Sequence, residues 1–554
     1  MPFDRHFPFW PSRLPKSLDY PQVPLWDFLE TSARRYPHKP AIIYYGNRIS
    51  YRQLKQEAEQ VAAGLAAKGV RKGDRVALYM QNAPQFIIAF YGILRANAMV
   101  VPLNPMLLEN EIDYMLRDSG AKVIFVGQDL AGRVMAIKDR IRALDVVTVT
   151  YRDYLNEEPE IPAPDFVRAP QRTVPGTMSW REFLSSAAQV PELEVGSEDW
   201  AVLPYTSGST GMPKGCIHTH ASVIATIVGA AYWNNVAPSA VSLAVLPLFH
   251  VTGLQHCMNT PIFVGATIVL LSRWDRDVAA MCIEKYGCTH WVNISTMVVD
   301  FLANPKLDQY DLSSLRSVSG GGAPLPEAVG ERLFQKLGIR YMEGYGMTET
   351  ISQTHSNPPD RPKLQCLGVP APDTDCKVLE LGTDRELGPG EEGEIVVSGP
   401  QVMKGYWNKP EETEKAFVTI DGKRFLRTGD IGRYDEEGYF FIVDRAKRMI
   451  NASGFKVWPT EVESVLYKHP AVAEACVVAT PDERRGENVK AFVVLRPEYE
   501  GKVTEEDIIQ WSREQMAAYK YPRVVEFIKE LPKSGSGKIL WRVLQDREFG
   551  REAK

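Results

Sequence analysis

Between residues 76 and 126 the chain alternates strand-like and helix-like patterns, and this alternation constrains the fold more than any other feature. Val76 to Met80, Met99 to Leu103 and Lys122 to Val126 are apolar runs of strand length; Gln85 to Ala96 and Asn110 to Asp118 read as helices. Strands joined through a helix run parallel, and a parallel sheet needs helices on its faces. Upstream, Ser50 with Gln53 resembles a capping box that opens a helix reaching Lys68, with Gly69 as its stop. Pro159 to Thr177 is rich in proline and reads as a surface connection.

The tail has another texture. Pro459 to Lys468 and Glu505 to Met516 read as helices, and Val472 to Val478 and Val489 to Leu495 as strands. From Lys447 onward there are 19 Lys+Arg and 17 Asp+Glu, a net of +2, which leaves −7 on the rest of a chain whose total is −5. Asp444-Arg445-Ala446-Lys447-Arg448 is the best boundary, giving domains 1–446 and 447–554. A length of 554 residues buries several cores, and 44% hydrophobic with 24% charged residues excludes a disordered or fibrous chain. The pI near 6.1 gives no reason to expect nucleic acid as a partner.

No apolar run is long enough to span a bilayer: Arg95 and Asn97 interrupt Phe86 to Leu103, and Pro261 to Leu271 is short. Met1 to Arg13 lacks a signal-peptide core, Arg551 to Lys554 is no peroxisomal address, and the seven cysteines form no CxxC pair. Reduced buried thiols and a cytoplasmic location follow. Peripheral membrane contact and a homodimer stay open.

Four groups of segments carry chemistry. Tyr205-Thr-Ser-Gly-Ser-Thr-Gly-Met-Pro-Lys-Gly215 mixes four Ser/Thr hydroxyls, three glycines and a lysine, a pattern that lets main-chain N–H groups approach phosphate. It is not a Walker A loop, because Pro213 stands where that motif requires glycine. Ser319-Gly-Gly-Gly-Ala-Pro324 and Glu343-Gly-Tyr-Gly-Met-Thr-Glu-Thr350 offer main chain and Tyr345 to a flat base, Thr348 to a phosphate and Glu349 to Mg²⁺. Arg427-Thr-Gly-Asp430 and Asp444-Arg445 suit ribose hydroxyls and phosphate. Leu531-Pro-Lys-Ser-Gly-Ser-Gly-Lys538 is a glycine-rich loop ending in lysine.

In this order and spacing the segments resemble the adenylate-forming superfamily of acyl-CoA synthetases, luciferases and peptide-synthetase adenylation domains, from about Pro24 to Arg542. The resemblance implies an α/β fold: a large N-terminal domain of doubly wound sheets with a barrel-like subdomain, and a small mobile α+β lid. It implies that Thr206, Ser207, Gly208, Ser209, Thr210, Gly211 and Lys214 handle the β- and γ-phosphates of ATP. Gly321, Gly322, Ala323, Pro324, Gly344, Tyr345 and Gly346 would hold adenine. Asp430 and Arg445 would hold ribose, Thr348 the α-phosphate and Glu349 the Mg²⁺. Lys538 would be the catalytic lysine and Lys447 the hinge. His250, with Val251, lies beside the acyl and pantetheine tunnels, Trp291 and Ser295 in the segment lining the acid pocket, and Gly454 in the segment lining the thiol tunnel. Cys216 and His218 depart from the family pattern, standing where aliphatic residues are common, and Ala221-Ser222 replaces a frequent Arg-Asn pair.

The implied reaction joins a carboxylic acid to coenzyme A through an acyl-adenylate. An uncharged, mostly apolar His290 to Val299 suits a medium- or long-chain fatty acid, although ordinary core packing explains many of the same residues. An aryl-CoA ligase is the runner-up; an oxidative luciferase or a ligase loading a carrier protein is further off. A nucleotide sensor without catalysis would lack Lys538 or Glu349, and both are present. No fused carrier domain is expected after residue 542.

Overall fold

A computed structural model of the chain describes residues 3–141, 143–185, 189–206, 212–322, 324–445, 448–452, 455–482, 486–533 and 539–550, without the side chains of 445, 455, 456 and 486. Ser207 to Gly211, Ala323, Lys447, Gly454 and Lys538 lie outside the described residues.

The alternating segment folds as its pattern predicts. Arg75–Tyr79, Met99–Leu103 and Val123–Gly127 are strands, and Pro84–Arg95 and Glu109–Ser119 are the helices between them. Each strand pairs parallel with its neighbour, Arg75–Tyr79 lying between the other two. The helix Tyr51–Ala67 is capped as expected, Ser50 Oγ accepting from Gln53 N at 3.2 Å. This nine-stranded sheet continues through Asp145–Val149 to Met178–Ser179 on one side. On the other it continues through Trp200–Val202 and Lys214–Thr219 to Gly405–Tyr406, with Tyr205–Thr206 also paired to Lys214–Thr219.

A second nine-stranded sheet runs in the order Val369–Pro370, Ser352–Ser356, Met342–Met347, Ser317–Gly321, His290–Asn293, Val241–Ala244, Thr267–Leu270, Pro40–Tyr44, Asn47–Ser50. Its middle is parallel and its ends are antiparallel. Helix Pro84–Arg95 is buried on nearly every residue, as a helix enclosed in the interior must be. A smaller sheet orders Asp375–Leu379, Gly393–Ser398, Lys423–Tyr434 and Phe417–Ile420, with Phe440–Arg445 joined to Lys423–Tyr434.

Two compact units result. One comprises Met1–Cys376, Val397–Leu426 and Glu437–Phe440; the other comprises Lys377–Val396, Arg427–Glu436 and Phe441–Lys554. The second holds the tail elements: helices Pro459–Leu466 and Glu505–Gln515, and a sheet in which Val472–Asp482 and Gly486–Leu495 pair antiparallel. All seven cysteines are buried and none is in a disulfide. Among the described residues no helix is long and apolar enough to cross a membrane.

Candidate active site

The first unit concentrates its chemistry on a turn at residues 347–352. Strand Met342–Met347 ends there and Thr348–Thr350 forms a single 3₁₀ turn. Ile351 (φ 48°) and Ser352 (φ 124°) then adopt positive φ, an unfavourable region for a β-branched residue, and strand Ser352–Ser356 returns antiparallel. The return is so tight that a Cβ at Gly346 would lie 1.6 Å from Ser352 O, so only glycine fits.

Surrounding groups pin this turn. Thr350 Oγ1 accepts from Met347 N at 3.1 Å and donates to Ser352 O at 2.8 Å. Met403 N donates to Glu349 O at 2.8 Å, and His256 Nε2 is 3.2 Å from Ser352 Oγ. His218, on strand Lys214–Thr219, donates from Nε2 to Thr348 O at 2.8 Å. Burial pulls the His218 ring down to about 4, so it is neutral at physiological pH and keeps one donor nitrogen.

Glu349 is buried, and its Oε1 accepts from Tyr406 Oη at 2.8 Å. Burial first, and then the Glu349 charge, hold the proton on Tyr406. Lys214 Nζ stands 4.2 Å above the Tyr406 ring and 3.3 Å from Glu412 Oε2. Tyr406 thus joins the Lys214 cation to the carboxylate of Glu349, the residue after Thr348. A single carboxylate with oxygen neighbours suits Mg²⁺, which binds one or two carboxylates together with phosphate oxygens and water. Thr206 pairs with Lys214 across the antiparallel strands that flank the phosphate-loop segment.

Gly321 and Gly344 are register partners, and a Cβ on Gly321 would meet Gly344 O at 2.4 Å. Gly322 has φ 83° and Pro324 is exposed. Tyr345 is half-buried, its ring 5.7 Å from that of His355. Buried Glu343 ties the two glycine motifs together, its Oε1 accepting from Gln365 N at 2.9 Å and Leu325 N at 3.4 Å. Burial outweighs these bonds and pushes its carboxyl up to about 7.

In the second unit Asp430 is buried on strand Lys423–Tyr434 behind Gly429, whose φ is 69°. Arg427 is held by Glu394 at 2.7 Å and Asp384 at 2.8 Å. Arg445 ends strand Phe440–Arg445, and the neighbouring Asp444 Oδ2 accepts from Thr460 N, tying that strand to the start of helix Pro459–Leu466.

Of the residues expected near the acid, His250 is exposed, its Nδ1 accepting from Thr252 N at 3.3 Å, and Val251 is buried. Ser295 opens helix Ser295–Leu302. Trp291 is fully buried, stacked on Trp274 at 5.5 Å and packed against Phe301 at 5.0 Å. Side chains alternate along a strand, so its neighbours His290 and Val292 face the opposite side and line a cavity there. His218, Tyr406 and His256 escaped the motif reading. Only His218 left a signal, as a residue standing where the family pattern commonly has an aliphatic one.

A family model described as "AMP-binding enzyme" matches residues 29–407, and "AMP-binding enzyme C-terminal domain" matches 461–538. The chain belongs to the AMP-binding enzymes. It is similar to a long-chain-fatty-acid–CoA ligase of Bacillus subtilis, 38% identical with 97% of each chain covered. A feruloyl-CoA synthase of Amycolatopsis is 35% identical, with 94% of this chain and 97% of that one covered. Among solved structures, ATP-bound MatB from Rhodopseudomonas palustris aligns with a TM-score of 0.83 at 28% identity, covering 95% of this chain and 99% of that one. That agreement confirms the adenylate-forming resemblance and its mixed α/β fold.

Proposed function

We propose that this AMP-binding enzyme is a cytoplasmic acid–CoA ligase that activates a medium- or long-chain fatty acid as acyl-AMP, releases pyrophosphate and transfers the acyl group to free coenzyme A. The observation that carries the reading is the pinned turn: Thr348 and Glu349 are held by His218 and Tyr406, and Tyr406 in turn carries the Lys214 cation, which would help neutralise phosphate charge. The similarity to a fatty-acid–CoA ligase over nearly the whole chain supports the acid class.

A carboxylate is a poor acylating agent because oxide is a poor leaving group. Attack on the α-phosphate makes that oxygen part of AMP, a good leaving group. Two anions must meet, so Thr348 and Lys214 hold the triphosphate while Lys538 supplies positive charge to the transition state. Mg²⁺ on Glu349 would supply further charge neutralisation. The second step needs a thiol at the same carbonyl, and a lid that turns about Lys447 would withdraw Lys538 and bring Gly454 in. Asp430 and Arg445 hold the ribose in both steps.

Pyrophosphate release on mixing the protein with ATP, Mg²⁺ and a panel of acids tests the first step, and thioester formation after CoA is added tests the second. Lys538→Ala should stop the first step and spare thioester formation from synthetic acyl-AMP; equal loss of both refutes the assignment of Lys538.

A further inference from the structure

The cavity facing His290 and Val292 has polar walls where a hydrocarbon tail would be best served by apolar ones. Ser242, His290 and Ser317 are register partners on three adjacent parallel strands, and Ser319 pairs with Val292. Their side chains therefore share one face of the sheet. His256 and Thr260, from the helical segment that follows His250, line the opposite side.

The space is about 20 Å³, room for one or two water molecules or one small polar group. Thr260 is 2% exposed, and its Oγ1 has no hydrogen-bond partner among the described residues. A buried hydroxyl left unmatched is costly, so the cavity awaits a hydrogen-bonding occupant. Among the described residues no Lys, Arg, Asp or Glu lines it. Burial holds His256 down at about 4 and also lowers His290, so both rings are neutral. The occupant is therefore uncharged.

Its depth is set by the sheet. Ser319 and Ser317 precede Gly321 by two and four residues, roughly 7 and 13 Å at about 3.3 Å per residue. His256 also reaches the turn that carries Glu349, through Ser352 Oγ at 3.2 Å. The cavity thus lies where the tail of an acid would go if its carboxylate stood at the glycine motifs.

We propose that this cavity selects an acid whose tail carries an uncharged hydrogen-bonding group, a hydroxyl or carbonyl oxygen, read by Thr260 and His256. The proposal rests on the acid–CoA ligase reading and narrows its substrate class.

The test measures kcat/KM for pyrophosphate release with matched pairs: octanoate and decanoate against their ω-hydroxy forms, and cinnamate against p-coumarate. The hydroxylated member of at least one pair should be preferred, by about tenfold to hundredfold, because the plain acid leaves Thr260 unmatched. Preference in the first series identifies an aliphatic tail, and preference in the second an aromatic one. Thr260→Val and His256→Leu should each reduce the preference, read as the ratio of the two kcat/KM values of a pair in the same protein so that a change in basal rate cancels; Thr260→Ser should keep it and controls for folding. Preference for the plain acid in every pair, or a hydroxyl preference untouched by both substitutions, overturns the proposal and leaves the ligase standing. Absence of pyrophosphate release with any acid overturns both.

Discussion

His218→Leu tests whether the Thr348 turn is held in place from behind. The substitution keeps an apolar side chain of similar reach in the strand and removes the donor 2.8 Å from Thr348 O. That carbonyl then has to find another partner or stay unmatched, at a cost of about 1–3 kcal/mol. Part of the cost appears as lost stability. The rest is relieved by movement of the turn, which already carries positive φ at Ile351 and Ser352. A displacement of about 1 Å in a positioning group lowers a rate by roughly a hundredfold. Since about 1.4 kcal/mol is tenfold, kcat for adenylate formation should drop about tenfold to hundredfold, with KM for ATP changing less. His218→Gln, whose amide can donate to the same carbonyl, should recover much of the rate. Because burial keeps the ring neutral down to about 4, the ratio of wild-type to variant rates should stay constant across neutral pH. Pyrophosphate release measured well below the melting temperature decides the matter. A His218→Leu protein that melts earlier but turns over at the wild-type rate would falsify the positioning role.

Tyr406→Phe removes the donor on Glu349 Oε1; a charged hydrogen bond contributes about 1.5–3 kcal/mol, so the Mg²⁺ concentration for half-maximal rate should change about tenfold or more, and an unchanged Mg²⁺ titration refutes the coupling. Gly346→Ala drives a methyl group to 1.6 Å from Ser352 O and should abolish activity, with destabilisation above about 3 kcal/mol in urea unfolding; normal stability would mean that the turn can open. Glu343 gives a pH signature. Its folded value of about 7 lies above the ordinary 4.5, so between those values the native protein holds a proton that the unfolded chain has released. Stability should therefore fall as pH rises through that window, by at most about 3 kcal/mol, and level off above it. Glu343→Gln should remove this slope, and an identical slope in the variant contradicts the assignment.

Periodicity made the parallel sheet legible, because Met99–Leu103 and its neighbours carry apolar runs that only a strand covered on both faces can use. The glycine motifs stood out in the sequence by their composition, and at Gly346 and Gly321 the structure gives a steric reason for glycine, the close approach of neighbouring main chain. Support from distant chain was hidden: Tyr406 reaches Glu349 across 57 residues and His218 reaches Thr348 across 130. Trp291 shows a related limit. Its apolar bulk fits a tunnel wall or a core equally well, and the register of the strand, fixed by the pairing of His290 with Ser317, adds only that His290 and Val292 share the face opposite to it.

The strain at residues 351 and 352 connects these points. Positive φ at Ile351 is unfavourable alone, and the turn persists because Thr350, Met403, His218 and His256 each bond to a different residue or main-chain group of it. Any one bond is modest, but together they leave Thr348 and Glu349 little freedom before a nucleotide arrives. Preorganised groups need not reorganise as charge builds on the phosphate, which is where electrostatic catalysis gains most. His256 is the member of this set that also lines the acid cavity, so an occupant bonded to it touches the same framework that fixes Glu349. A tail that satisfies the cavity should therefore raise kcat as well as lower KM, whereas a tail that merely fills space should change KM alone.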